Sequence, residues 1–450
     1  MFPIIAQLSI FLNPMHTLAI HGGTPVRSKD RLFPAYNSID EHEKQAALRV
    51  LDTGILSKYL GCWDPDFYGG REVQAFEQEW AAKFGVKYAI AMNSATSGLI
   101  AAVGALGIEP GDEVIVSPYS MCASATTPLF YGAVPVFADV EPEHFCLDPK
   151  SVEARITPRT KAIIVVDIFG QPYDADAINA IAKKHGIAVI EDAAQVPGAL
   201  YRGRPAGTLA DIGVYSLNYH KHIHTGEGTL VVTNDAELAE RLMLIRNHAE
   251  AVVEEKGVTN LVNMVGQNYR MTEIQAAIGR EQLKKLDALV SERQKNCQYI
   301  AERCGDMLGF RPAPTREGAT HVYYQHPFLF DEEIVGVSRA KFVAAIQAEL
   351  PPTALRESDG PLISGGYVKP IYLMPIFQQQ IAFGSKGYPF RSEFYQGEVN
   401  YTKGLCPVVE RLHEREYVSH EMMRPGMTTA DLDDVVEAFH KVYDARNELN

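Results

Sequence analysis

From residue 86 to 233 the chain alternates two kinds of stretch. Short runs apolar on both faces lie at 88–92, 113–117, 134–138, 161–166, 187–191, 212–216 and 228–233. Between them fall stretches of helical period such as 95–106, 175–184 and 236–245. Strands apolar on both faces and separated by helices predict the α/β class, a mostly parallel sheet flanked by helices. Turn signals such as Glu109-Pro110-Gly111-Asp112 separate the runs. Further on, Ile274, Ala277, Ile278, Leu283, Leu286 and Val290 keep helical spacing behind Thr272-Glu273, which predicts a long helix. From about residue 311 the elements become shorter, mixed and rich in Pro, Gly and aromatics, and they close on a helix over 431–442. This predicts a smaller C-terminal α+β domain. The large domain is placed at 15–290, with 15–60 able to pack on the small one, the small domain at 291–450, and 1–14 as an extension or loosely held arm.

Composition narrows the function. With 450 residues, 46% of them apolar and 22% charged, the chain can build a large core, which excludes disorder and fibrous architecture. Its 42 Lys and Arg against 56 Asp and Glu leave a net charge of −14. Such a chain is a poor partner for nucleic acid or an anionic membrane. The six cysteines contain no C-x-x-C pair. They form neither a disulfide framework nor a zinc knuckle, and they suit a reducing cytoplasm, the expected location. No apolar run reaches the ~18 residues that span a bilayer. The apolar opening at 1–12 lacks a basic leader and a small-residue cleavage site, so no signal peptide is expected.

Four features sit at or near the ends of predicted elements, where an open α/β sheet collects its ligand. In Asn93-Ser94-Ala95-Thr96-Ser97-Gly98 a strand feeds small hydroxyl residues into a helix. Free N–H groups and hydroxyls there make a phosphate seat, or simply an N-cap. In Glu191-Asp192-Ala193-Ala194-Gln195 a buried strand ends in two carboxylates. One of them could keep the ring nitrogen of a pyridine cofactor protonated; a helix cap or metal ligand is the alternative. Lys221 lies between the 212–216 strand and the Gly226-Glu227-Gly228 turn. A desolvated lysine there loses its charge readily and can condense with an aldehyde, whereas most lysines are simply solvated. His220, His222 and His224 alternate around it without an acidic or Cys partner at ligand spacing, so no metal is expected. Finally, Asn268 and Arg270 stand in a polar turn entering the long helix, able to meet an anion or to cap.

Taken in order along the chain, these motifs resemble the DegT/DnrJ/StrS family of pyridoxal-phosphate-dependent sugar aminotransferases. The resemblance runs from Gly22-Gly23-Thr24-Pro25 to Cys406-Pro407. It is carried by 191–195, by Ser216-x4-Lys221 with Gly226-Glu227-Gly228, by 268–277, by Gly69-Gly70-x-x-Val73-x-x-Phe76-Glu77 and by Phe169-Gly170-Gln171-Pro172. It implies an aspartate-aminotransferase-like fold (PLP fold type I) and pyridoxal 5'-phosphate as cofactor. It further implies that Lys221 forms the internal aldimine and shuttles the proton, Asp192 pairs with the pyridinium nitrogen, and Gln195 approaches the phenolic oxygen. Ala95, Thr96 and Ser216 would hold the phosphate, and Asn268 would reach the phosphate of the neighbouring subunit, making the active unit a homodimer. Where family members place an aromatic residue against the ring, this chain has Met121, with Tyr119 and Cys122 nearby, so stacking falls to Tyr119 or to a sulfur–ring contact from Met121. Arg270 is the candidate grip for the donor carboxylate.

The resemblance implies transfer of an amino group from glutamate or glutamine to a keto sugar or keto cyclitol. Two alternatives are weighed. A deoxysugar dehydratase of the same family carries His in place of the aldimine lysine, but the fifth residue after Ser216 is Lys221. A non-catalytic carbohydrate-binding or regulatory protein needs no such lysine. The Gly22–Pro25 opening and the 410–416 segment resemble the sub-branch that aminates keto-inositols in aminoglycoside assembly, while nucleotide-linked keto sugars serve the rest of the family. The long Pro- and aromatic-rich stretch around 369–377 and 388–390 is expected to pack as core, with a share in shaping the site.

Overall fold

The computed structural model describes residues 17–354 and 361–450, so the expected arm at 1–14 lies outside the described residues. All seven apolar runs form strands. These are β1 (Tyr88–Met92), β2 (Glu113–Val116), β3 (Val134–Phe137), β4 (Thr160–Val166), β5 (Ala188–Asp192), β6 (Ile212–Ser216) and β7 (Thr229–Thr233). They join in one sheet in the order β1-β7-β6-β5-β4-β2-β3. Pairings from β3 through β2, β4 and β5 to β6 are parallel, whereas β7 runs antiparallel to both β6 and β1. The reversal follows from the connection between β6 and β7. That segment folds back on itself through Leu217 N–Gly228 O (2.9 Å) and Tyr219 N–Gly226 O (2.9 Å), so it makes no crossover and the next strand must return. Lys221 is thereby held at the carboxyl end of β6.

Four helices matter to the site: α1 (Glu41–Thr53), α2 (Arg71–Phe84), α3 (Ala95–Ala105) and α4 (Glu273–Cys304). The long helix α4 opens with a capping box between Thr272 and Gln275. It outruns the stripe that ended at Val290 because its second half changes partners. Leu283, Leu286 and Val290 pack in the core of the large sheet, while Cys297, Ile300 and Cys304 enter a second core. α1 packs on α4 through Ala46 and Val50 against Ala277, a stripe too narrow to announce itself in the sequence.

The second core lies under an antiparallel sheet of β8 (Phe310–Pro312), β9 (His326–Phe330), β10 (Ile363–Gly365) and β11 (Tyr417–His420), ordered β8-β9-β11-β10. α5 (Thr429–Asp444) covers it with Phe439, again behind a capping box at Thr428. Leu18 and Phe33 from the N-terminal segment join the same core. The Pro- and aromatic-rich stretch packs on the large sheet instead. Phe137 of β3 meets the rings of Phe377 at 5.2 Å and Tyr401 at 5.5 Å. The Tyr395 hydroxyl donates to Glu113 (3.0 Å) and that of Tyr401 to the Pro135 carbonyl (2.7 Å). Core packing of this stretch places Tyr367, at its start, beside the candidate site.

Candidate active site

One glycine sets the first wall. At Gly98 of α3 a Cβ would stand 2.8 Å from a Val231 methyl and 3.0 Å from one of Val214, so α3 lies closer to β6 and β7 than any larger residue permits. One turn earlier, α3 presents the first-turn N–H groups of Ala95 and Thr96, which no helix satisfies internally. Ser94 caps the turn by accepting from Ser97 N (3.1 Å). Ser216 lies on the same face of the sheet as Val214, two residues nearer the carboxyl edge, and its hydroxyl accepts from Asn218 N (3.3 Å).

The two carboxylates ending β5 separate, because adjacent strand residues face opposite sides. Glu191 is consumed by a turn on the far face, accepting from Gly207 N (2.6 Å) and Leu209 N (2.8 Å). Asp192 faces the site, 5% exposed. Its Oδ2 accepts from Ser124 Oγ (2.6 Å) and its Oδ1 from Ala194 N (3.2 Å). Burial pushes the Asp192 pKa above the usual carboxylate range, while Ser124, Ala194 and the Lys221 amine pull it back. Ser124→Ala removes the short bond and raises that pKa further. A loss of about tenfold in kcat/KM is expected, measured across pH 6–9.

Behind Glu191 lies the buried Asp167, its pKa raised well above 3.8 by burial first and by the Glu191 charge second. Glu191 keeps the N–H donors, so Asp167 keeps the proton. A carboxyl whose pKa is raised on folding gives stability at acid pH that is lost as pH climbs from the unfolded-chain value toward the folded one. Asp167→Asn retains an acceptor for Tyr173 N (2.8 Å) without that titration. Its urea midpoint, relative to the parent chain, is expected to rise between pH 4 and pH 8.

Lys221 closes the site. Its backbone N donates to Asn218 O (2.9 Å), within the turned-back loop. Burial draws the amine down from 10.5 to about 8, against the pull of the Asp192 carboxylate. The amine lies 4.2 Å from the centre of the Tyr324 ring. The three alternating histidines part company. His222 is fully buried and donates from Nε2 to Val322 O (2.9 Å), while His224 Nδ1 accepts from Gly226 N (3.3 Å). His220 lies against the Tyr219 ring. Among the described residues no group of three or more His, Cys, Asp or Glu is arranged to hold a metal ion.

Gln195, 4% exposed, accepts at Oε1 from Phe169 N (2.6 Å) and donates from Nε2 toward the Tyr367 hydroxyl (3.4 Å). Phe169 and Gly170 have φ of +61° and +104°. At Gly170 a Cβ would stand 2.7 Å from Tyr323 N, so the turn admits the 320–325 segment only because that residue is glycine. Gly170→Ala combines a left-handed φ with a backbone clash and is expected to cost at least about 2 kcal/mol in urea unfolding.

Asn268 and Arg270 lie together at the edge of the same region. Asn93 N donates to Tyr269 O (2.8 Å) and Asn93 Nδ2 to Asn268 O (3.4 Å), which fastens this turn beside the start of α3. The Asn268 side chain is exposed and accepts from Arg270 Nε (2.7 Å). Met121 is 61% exposed, whereas Tyr119 is fully buried. The Tyr119 ring is met edge-on by Phe169, Tyr367 and Tyr417, and its hydroxyl accepts from Tyr367 N (3.0 Å). Ser124, Tyr324 and Tyr367 belong to no motif in the sequence; only the tertiary contacts bring them here.

Comparison with known proteins agrees with this architecture. The model of the DegT/DnrJ/EryC1/StrS aminotransferase family matches residues 39–382. An L-glutamine:2-deoxy-scyllo-inosose aminotransferase of Streptoalloteichus tenebrarius is 33% identical over 447 residues, covering 97% of this chain and 99% of its own. GDP-perosamine synthase of Caulobacter vibrioides is 41% identical over 304 residues, covering 67% of this chain and 78% of its own. Among solved structures, an aminotransferase from Psychrobacter cryohalolentis superposes with a TM-score of 0.76 at 30% identity, covering 92% of this chain and 99% of that one.

Proposed function

Since this chain belongs to the DegT/DnrJ/EryC1/StrS aminotransferase family and is a pyridoxal 5'-phosphate-dependent sugar aminotransferase, we propose that it moves an amino group from glutamine or glutamate to a keto cyclitol. The observation that carries the site assignment is a single facing pair. A buried carboxylate on β5, supported by Ser124, lies within electrostatic reach of a desolvated amine on the β6–β7 loop. The donor set fits the cofactor. N–H groups of Ala95 and Thr96 with the Ser216 hydroxyl suit a phosphate, Asp192 suits a protonated ring nitrogen, and Gln195 offers an amide beside them.

When bound, the cofactor supplies an electron-withdrawing ring that makes the α-hydrogen of an amino acid acidic. Asp192 would hold the proton on the ring nitrogen, with Ser124 and Ala194 donating to its carboxylate against the burial that raises its pKa. Lys221 moves the proton to and from carbon. At pH 7 an amine of pKa about 8 is neutral in roughly a tenth of molecules, against about one in three thousand at the usual 10.5. Arg270, with Nε tied to Asn268, grips the donor carboxylate through its remaining N–H groups. Of the two residues expected against the ring, the exposed Met121 takes that place. Tyr119, enclosed by three rings, holds the wall behind it.

The active unit is proposed to be a homodimer in which Asn268 completes the phosphate site of the partner subunit. Exposed apolar side chains near that turn support the reading: Leu261 is 59% and Val265 71% exposed, and Tyr219 of the lysine loop is 57% exposed.

The cyclitol reading is supported by the extent of the match, which for the scyllo-inosose enzyme includes the stretch that carries Tyr367. The higher local identity to GDP-perosamine synthase favours a nucleotide-linked keto sugar as the second reading. The cofactor-loaded protein is expected to lose its yellow absorbance with L-glutamine and regain it with 2-deoxy-scyllo-inosose. Recovery with a nucleotide keto sugar alone would move the assignment to the second reading.

A further inference from the structure

We propose that Tyr324 is a positioning residue for the reacting amine: its ring face seats Lys221 Nζ whenever that amine is not bonded to another group. The proposal rests on the assignment of Lys221 as the amine that moves the proton. In transamination the lysine must be released and must then act from a defined place; a four-carbon stem with free rotation does not define one.

The geometry supplies the place. The amine stands 4.2 Å from the ring centre, well inside the ~6 Å over which an ammonium is drawn to an aromatic face. The ring, in turn, is carried by a segment pinned from several sides. Val322 N donates to Gly170 O (2.8 Å) and Gln325 N to Phe169 O (3.3 Å). Arg293 Nη1 of α4 donates to Tyr323 O (3.1 Å). Phe169, Gly170 and Tyr323 all have positive φ, at +61°, +104° and +52°. Non-glycine residues persist in that region only where their surroundings over-determine them.

His222 joins the two halves. Its Nε2 donates to Val322 O (2.9 Å), two residues before Tyr324, while its own backbone follows Lys221 directly. From the opposite side the Tyr36 hydroxyl donates to the His222 carbonyl. The carrier of the amine and the carrier of the ring are thus tied one residue from Lys221 and two from Tyr324. Because Nε2 holds the proton, Nδ1 of His222 is a buried lone pair with no protein partner. A neutral ring there adds no positive charge next to the amine.

The charged and titratable groups facing this point are few. Asp192 comes from β5, Arg293 from α4 and His321 from the segment before Tyr324, both beside His222, His222 from the loop itself, and Tyr367 from the 366–412 stretch, near both Asp192 and Tyr324. Asp192 and the ring favour the ammonium; burial opposes it. Removing the ring face therefore lowers the Lys221 pKa, and it also frees the amine to wander.

The test uses three variants of the cofactor-loaded enzyme. Tyr324→Phe keeps the face and is expected to retain kcat and the pH profile within about twofold. Tyr324→Leu and Tyr324→Met lose it. Both are expected to lose about tenfold or more in kcat, with KM for the amino donor within about threefold, and to move the acid limb of kcat to lower pH by about half a unit. A readout independent of turnover is the rate at which cofactor-stripped protein reloads with pyridoxal phosphate as a function of pH. Its midpoint should move the same way in Leu and Met and stay in place in Phe. Unmoved midpoints in Leu and Met, or a Phe variant as impaired as they are, overturn the proposal. If Lys221→Ala is inactive while the Leu and Met variants match the parent enzyme, only this seat is refuted. If Lys221→Ala still transfers amino groups, the assignment of the amine itself has failed.

Discussion

Lys221→Ala is expected to abolish amino transfer, by at least about 10⁴-fold in kcat, and to leave a protein that no longer turns yellow with pyridoxal phosphate. The fold should survive. The loop that carries Lys221 is closed by backbone bonds, Leu217 N–Gly228 O, Tyr219 N–Gly226 O and Lys221 N–Asn218 O, all of which alanine keeps. Lys221→Arg separates charge from basicity. It preserves a cation facing Asp192, but a guanidinium does not give up its proton near neutral pH and so should be equally inert. Steady-state transfer from L-glutamine and the absorbance of the loaded protein check both variants. Residual activity above one per cent in either would remove the central amine from the mechanism.

Asp192→Asn ranks second. The amide is isosteric and can still accept from Ser124 or Ala194, so stability should change little. What disappears is the negative charge proposed to keep a ring nitrogen protonated. Loss of a fixed electrostatic partner of this kind costs about 10²–10³-fold in kcat. The pH dependence adds a second signature. Asp192 raises the Lys221 pKa, and its pull is part of the balance with burial that leaves it at about 8, so the Asn variant should have its acid limb at lower pH than the parent enzyme. A slower enzyme with a more readily neutral lysine would show that the carboxylate acts through the ring and not through the amine. An unchanged kcat with a shifted limb would assign Asp192 to lysine tuning alone.

The neighbouring pair at 191 and 192 shows where reading the chain reaches its end. Two carboxylates close one apolar run, and their local pattern does not say what each of them meets. The pleat parts them. Glu191 turns to the N–H groups of Gly207 and Leu209, and Asp192 turns to Ser124 and Lys221. Ser124 itself carries no motif; it matters through a 2.6 Å contact across 68 residues of chain.

Local pattern was sufficient for the large sheet and the helices whose apolar stripes are wide. The seven strands follow from runs apolar on both faces, and α3 and the first half of α4 from their stripes and caps. These depend on residues within a few positions of one another, so one chain carries the whole signal. The direction of β7, the second half of α4, the return of the aromatic stretch to the large core, and the meeting of Tyr324 and Tyr367 with Lys221 and Gln195 depend on partners a hundred or more residues away or on how a loop closes. Such contacts leave no periodic trace, because each is set by one side chain meeting one distant surface, and only the folded chain brings the two together.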